Sequence, residues 1–118
     1  MDTSPTRLLI HGASGRMGQA LLRLAAEQPA CTVVAAVTRR APAQRVVDGV
    51  PHFAATELGG VPAFDAAVDF SLPEGFDAVL GLCVDRGCPM VSGTTGIDAA
   101  QQDALATAAT RIPLVWAS

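Results

Sequence analysis

At 118 residues, 50% hydrophobic and 16% charged, the chain is long enough for one domain with a real core and too apolar for disorder. Its net charge of −3 argues against a general affinity for nucleic acid. No apolar run approaches the roughly 18 residues of a membrane span, and the opening "MDTSPTR" lacks the basic-then-apolar layout of a secretory leader, so a cytoplasmic location is expected. All eight basic residues are arginine and there is no tyrosine, which removes lysine amines and phenolic hydroxyls from the possible catalysts. Cys31, Cys83 and Cys88 form neither an even disulfide framework nor a Cys-x-x-Cys metal pair; they read as reduced and structural, and no metal site is expected.

Short apolar runs alternate with helical stretches. "RLLIH" (Arg7–His11) reads as a buried strand, followed by a helix from Arg16 to Gln28 with Met17, Leu21, Leu24 and Ala25 on one face, stopped by Pro29. Thr32–Thr38 is a β-branched strand. Residues 41–64 are rich in Pro and Gly; a turn or short helix, a strand near Val50–Ala54 and a helical turn at Ala55–Leu58 are expected there. Ala66–Phe70 is a strand. Ser71 and Glu74 then suggest a capping box opening a helix that runs to about Arg86, with Pro73 in its first turn and Gly87 ending it. Pro89–Gly93 reads as a strand, Asp98 with Gln101 as a second capping box for a helix to about Thr110, and Pro113–Ala117 as a last strand. This alternation predicts an α/β fold, a single domain with a doubly wound parallel sheet, and the near-continuous apolar strands suit a sheet covered on both faces.

In such a fold ligands bind at the C-terminal strand ends. "HGASGRMG" follows the first strand and precedes the first helix, with glycines at 12, 15 and 18. The spacing is G-x-x-G-x-x-G; read as the strict G-x-G-x-x-G from Gly12, the later positions hold Ser14 and Met17. Glycines there permit a tight turn and close approach to a pyrophosphate, while helix N-terminal amides and Arg16 supply positive charge. An acidic residue roughly 20 positions on would bind the ribose of NAD, but the second strand ends in Thr38-Arg39-Arg40 and the next carboxylate is Asp48. Two arginines in that place favour a 2′-phosphate. "DFSLPEG" (Asp69–Gly75) and "SGTTG" (Ser92–Gly96) end strands on the same sheet edge and open towards the same crevice. His11 is expected to be packed rather than a proton donor, and His52 to lie at the surface.

Together, "GASGRMG", "DFSLPEG" and "SGTTG" resemble the dihydrodipicolinate reductase family, over essentially all of this chain but only the N-terminal half of the family. The resemblance implies a Rossmann-like, cofactor-binding domain of an enzyme that carries hydride from NADPH or NADH to a cyclic substrate, forming tetrahydrodipicolinate in the diaminopimelate route to lysine. It implies that Gly12, Ala13, Ser14, Gly15, Arg16 and Met17 wrap the pyrophosphate, that Arg39, flanked by Thr38 and Arg40, meets the 2′-phosphate, and that Phe70, Gly93, Thr94 and Thr95 line the nicotinamide side, with Thr95 also touching substrate. Ala117 and Ser118 match the start of the crossover into a second domain, whose backbone also meets the cofactor. Thr38 departs from the acid of dual-specificity members, and Leu72 stands where some members have arginine. The family's catalytic segment, with paired histidines, a lysine and D-A-P-S-G, lies beyond residue 118, so no catalytic residue is assigned here. The dicarboxylate substrate and the homo-oligomeric assembly of family members both depend on that second domain. A stand-alone nucleotide-sensing domain or another NADP-dependent reductase are the alternatives, although the latter class commonly uses a tyrosine and lysine pair that is absent.

Overall fold

The computed structural model describes residues 4–117. In chain order the elements are β1 (Thr6–His11), α1 (Arg16–Ala26), β2 (Cys31–Thr38), β3 (Val46–Val47), β4 (Val50–Ala54), a 3₁₀ turn (Ala55–Gly60), β5 (Ala66–Asp69), α2 (Pro73–Arg86), β6 (Met90–Ser92), α3 (Ala99–Ala108) and β7 (Leu114–Trp116). The strands form one sheet in the order β3-β4-β2-β1-β5-β6-β7. All pairings are parallel except β3 with β4. The chain starts at the centre and winds outward first to one side, then to the other. The switch falls at β1, between β2 and β5, and this is where a doubly wound sheet opens a crevice.

Side chains alternate across the strands and sort into two apolar layers. Ile10, Ala13 and Ala36 meet Leu21 and Leu22 of α1 on one face. Leu9, Ala35, Val37 and Ala67 meet Phe76, Val79 and Cys83 of α2, with Phe64, Met90 and Ile112 completing the larger layer on the other. Burial pushes the Cys83 thiol up to about 12, so it behaves as a small apolar filler. The sheet is not covered throughout. Val91 and Val115 are register partners, and on the face opposite α2 and α3 they remain 45% and 59% exposed.

Four expectations need correction. The first concerns the buried face of α1. Gly18, Leu21, Leu22 and Ala25 face inward, while Met17 and Leu24 are 52% and 57% exposed. The cause is Gly18, where a Cβ would lie 2.6 Å from Ala13 Cα, so the helix turns its glycine, not Met17, to the loop after β1. Second, Ser71 and Glu74 form no capping box. Pro73 opens α2, and the residue before a proline is held extended, so Leu72 (φ −90°, ψ 161°) occupies the cap position with no side-chain cap. Third, of the turn or short helix expected after residue 41, the structure has a turn and no helix, and the turn joins a strand that was not expected, β3, to β4. Asp48 (φ 52°) and Gly49 (φ 79°) both take left-handed conformations and join β3 to β4 in the manner of an Asp-Gly two-residue turn. Finally, His52 is half-buried on β4, with Nδ1 2.9 Å from Val50 O. The remaining stops agree with local chemistry: Gly87 ends α2 at φ 65°, and Asp98 and Gln101 cap α3 reciprocally at 2.8 and 2.9 Å.

Candidate functional site

The C-terminal ends of β1, β2, β4 and β5 surround a cavity of about 460 Å³ lined by His11, Gly12, Ser14, Gly15, Arg39, Ala55 and the segment Phe70–Leu72 with Glu74 and Gly75. A neighbouring cleft of about 600 Å³ shares Ser14 and Arg39 with it and continues past Thr38, Arg40, residues 41–44, Val47 and His52. The β3–β4 hairpin thus forms one wall of that cleft.

The glycine loop is built by close approach. Gly12 adopts φ +81°, and a Cβ there would lie 2.5 Å from Phe70 O. Its amide and that of Ala13 both donate to Val37 O at 3.0 Å, which ties the turn to β2. Gly18 brings α1 against Ala13, and Gln19 Nε2 donates to Ala13 O at 2.9 Å. No side chain caps α1 at Gly15 or α2 at Leu72, whereas α3, whose residues line neither cavity, carries its capping box. Two helix N-termini, with their partial positive charge, are therefore left open beside the crevice. Arg39 lies across from them, exposed, and the Thr38 hydroxyl donates to Arg40 O at 2.6 Å, shaping the basic turn.

Beneath the loop lies a buried polar network. Parallel register sets His11 beside Asp69 and Asp69 beside Ser92. His11 Nδ1 is 2.8 Å from Asp69 Oδ1, which also accepts from Ser71 N at 3.2 Å. Asp69 Oδ2 accepts from Ser92 Oγ at 2.8 Å and Thr94 Oγ1 at 2.7 Å. Burial alone would push the Asp69 carboxyl up. The donors from His11, Ser71 and Thr94 outweigh it and hold the group below the ordinary value of 3.8.

The other residues singled out by sequence fall as follows. Gly12, Ser14, Gly15, Arg39 and Phe70 line the first cavity; Thr38 and Arg40 line the second. Arg16 and Met17 are exposed at the start of α1, and Ala13 is buried against β2. Phe70 and Gly93 meet directly, since a Cβ at Gly93 would lie 2.7 Å from Phe70 Cδ1. Thr94 is buried with its hydroxyl committed to Asp69, and Trp116 Nε1 holds its carbonyl at 3.0 Å. Thr95 beside it is exposed. Ala117 N donates to Ser92 O at 3.0 Å, which brings the end of β7 to the same sheet edge; Ser118 lies outside the described residues. The "DFSLPEG" segment lines the crevice as its sequence position suggests, through Phe70–Leu72, Glu74 and Gly75; sequence reasoning misses Ala55 as a crevice residue and Asp69 as the centre of the network. The signal for Asp69 is an acid in the otherwise apolar "AAVDF" strand; Ala55 carries none. Among the described residues no helix is long and apolar enough to cross a membrane.

The comparisons agree with this geometry. The family model described as "Dihydrodipicolinate reductase, N-terminus" matches residues 6–118. The 4-hydroxy-tetrahydrodipicolinate reductase of Stenotrophomonas maltophilia (strain K279a) is 72% identical over 119 residues, covering 100% of this chain and 50% of its own length. That of Xanthomonas campestris pv. campestris (strain B100) is 70% identical over 118 residues with the same coverage. The chain thus spans about half the length of the curated relatives it matches. A dipicolinate-bound dihydrodipicolinate reductase from Paenisporosarcina sp. TG-14 shares the fold at a TM-score of 0.77 and 22% identity, over 96% of this chain and 47% of that one. On the family match over residues 6–118 and these identities, the chain belongs to the dihydrodipicolinate reductase N-terminal family.

Proposed function

We propose that residues 1–118 form the nicotinamide-dinucleotide-binding domain of a 4-hydroxy-tetrahydrodipicolinate reductase, working with a separate substrate domain of the full-length protein. The observation that carries this reading is the Gly12–Gly15 turn. It lies at the switch point of the sheet, beside two uncapped helix N-termini, and is packed so closely that a Cβ at Gly12 would strike Phe70 O at 2.5 Å. A dinucleotide fits the groups present. The turn and Arg16 hold the pyrophosphate, Arg39 and Arg40 take a 2′-phosphate, and Phe70 against Gly93, with Thr95 and Ala117, forms the nicotinamide side. Thr94 acts from beneath, its hydroxyl donating to Asp69. When bound, the dinucleotide supplies the hydride for reduction of the substrate ring.

NADPH is the expected form. Arg39 and Arg40 stand where an NAD-binding fold places a carboxylate, and a charge-assisted pair with a phosphate contributes about 1.5–3 kcal/mol. NADH lacks that contact and binds more weakly. The chain contains no lysine, and the arginines lining the crevice, Arg39 and Arg40, are taken by the cofactor phosphate in this reading, so the substrate dicarboxylate is assigned to the second domain. The 118-residue chain is expected to bind the dinucleotide without turnover. Titration with NADPH and NADH by calorimetry tests this. Arg39→Ala should weaken NADPH about tenfold or more, since ~1.4 kcal/mol is a factor of ten, and should leave NADH nearly unchanged. No NADPH affinity, or equal losses for both dinucleotides, overturns the assignment.

A further inference from the structure

We propose that His11 is a further dinucleotide-contacting residue: its ring, fixed at Nδ1 by Asp69, presents Nε2 on the crevice floor to accept a hydrogen bond from the ribose of the adenosine half. This rests on the dinucleotide reading above and adds a residue to it.

The ring is held in one orientation. Its side chain is 5% exposed and that of Asp69 is 0% exposed, with 2.8 Å between Nδ1 and Oδ1. Asp69 receives Ser71 N, Ser92 Oγ and Thr94 Oγ1 as well. A carboxylate only accepts, so the Nδ1 proton belongs to His11, and in the neutral ring Nε2 carries the lone pair. Gly75 makes room for the ring edge, since a Cβ there would lie 2.9 Å from His11 Cε1.

Nε2 is the atom left over. Among the described residues it has no hydrogen-bond partner, although every buried side-chain nitrogen or oxygen has one. Nε2 is therefore open to the cavity that His11 lines with Gly12, Arg39 and Ala55. The surroundings select the ligand group. The cavity has two sides: Phe70, Ser71 and Leu72 line one, while Arg39 and Ala55, at the ends of β2 and β4, bring the group assigned to the 2′-phosphate into the same space as His11. A ribose beside Arg39 offers a hydroxyl proton to a lone pair, whereas a phosphate oxygen only accepts and has nothing to donate.

The test uses the 118-residue chain with ¹⁵N-labelled histidine, reading both His11 ring nitrogens by NMR as NADPH is added. The expected result is an upfield move of the Nε2 resonance, as a lone pair accepts a hydrogen bond, with Nδ1 still protonated. 2′-Phospho-ADP-ribose, which keeps the adenosine half, should reproduce the shift; nicotinamide mononucleotide should not. His11→Ala should weaken NADPH five- to twentyfold, with part of the loss recovered in His11→Gln, which keeps an acceptor. If the substitutions impair folding, the wild-type spectra still decide. An unmoved Nε2, conversion of the ring to imidazolium, or a response to nicotinamide mononucleotide alone overturns the assignment. If NADPH binds and Nε2 is silent, only this inference falls; if NADPH does not bind at all, the functional reading falls with it.

Discussion

Replacing glycine by alanine inside a helix normally stabilises a protein, by about 1 kcal/mol, because the unfolded chain loses freedom and the helix gains propensity. Gly18 of α1 should invert that rule. A Cβ there would lie 2.6 Å from Ala13 Cα and 2.9 Å from Ala13 C. Unstrained carbon contacts are about 3.5–4.0 Å, so α1 must retreat by about 1 Å, and neither neighbour is a side chain that can swing aside. Retreat loosens the layer in which Leu21 and Leu22 meet Ile10 and Ala36. Overpacking of this kind costs about 1–3 kcal/mol; a backbone obstacle belongs at the upper end, so after the propensity gain the net loss is about 2 kcal/mol. Gly81, in the middle of α2, is the internal control, because a Cβ there meets nothing within 4 Å. Gly81→Ala should therefore stabilise by about 0.5–1 kcal/mol. Urea unfolding of the two variants, read by circular dichroism, should give shifts of opposite sign. NADPH affinity should fall in Gly18→Ala alone, since the retreating helix carries its N-terminus away from the crevice. Equal stabilisation by both substitutions would refute the close-packing argument and, with it, the claim that the third glycine of the motif positions α1.

Other outcomes follow from single observations. Asp69→Asn leaves buried donors without a charged acceptor and should cost about 3 kcal/mol at pH 7. Because the folded-state carboxyl is held below its ordinary value of 3.8, its contribution is complete above that pH and is lost as pH falls through the depressed value. The stability gap between wild type and Asp69→Asn should therefore shrink on going from pH 5 to pH 2.5 in urea titrations; a constant gap would count against an ionised, network-bound carboxylate. Cys83, buried and pushed up to about 12, should resist alkylation by iodoacetamide at pH 8 in the native protein and react only on unfolding, as peptide mass mapping would record. Gly49→Val places a β-branched residue at φ 79° and should destabilise the β3–β4 hairpin by about 1–2 kcal/mol; unchanged urea stability would argue against the two-residue turn.

What the sequence disclosed and what it hid separate along a physical line. The αL stop at Gly87, the Asp98 and Gln101 box and the glycine turn after β1 each involve groups within a few residues of one another, so their chemistry is written locally. The cap of α2 and the β3–β4 turn are also encoded locally. Pro73 forces Leu72 extended and so moves the cap off Ser71, and Asp-Gly between Val47 and Val50 is a hairpin turn. The buried face of α1 is not legible from apolar periodicity, which gives weight to Met17 and none to Gly18, although here the absence of a side chain determines the contact.

The Asp69 network is different in kind. His11, Asp69, Ser92 and Thr94 come from the ends of three strands that are adjacent only through the order β1-β5-β6 and its parallel register. No spacing within the chain encodes that adjacency, so sequence alone marks His11 as a packed residue and Asp69 as a strand end. Once the register is known, the four residues explain why the crevice has a firm floor. One carboxylate gathers donors from the glycine-loop strand, from the segment leading into α2 through Ser71 N, and from the "SGTTG" loop. Asp69 of "DFSLPEG" is thus bonded to "SGTTG" through Ser92 and Thr94 and to His11, the residue directly before "GASGRMG". These bonds tie the end of β1, which leads into the glycine turn, to the loops after β5 and β6 at the floor of the proposed site.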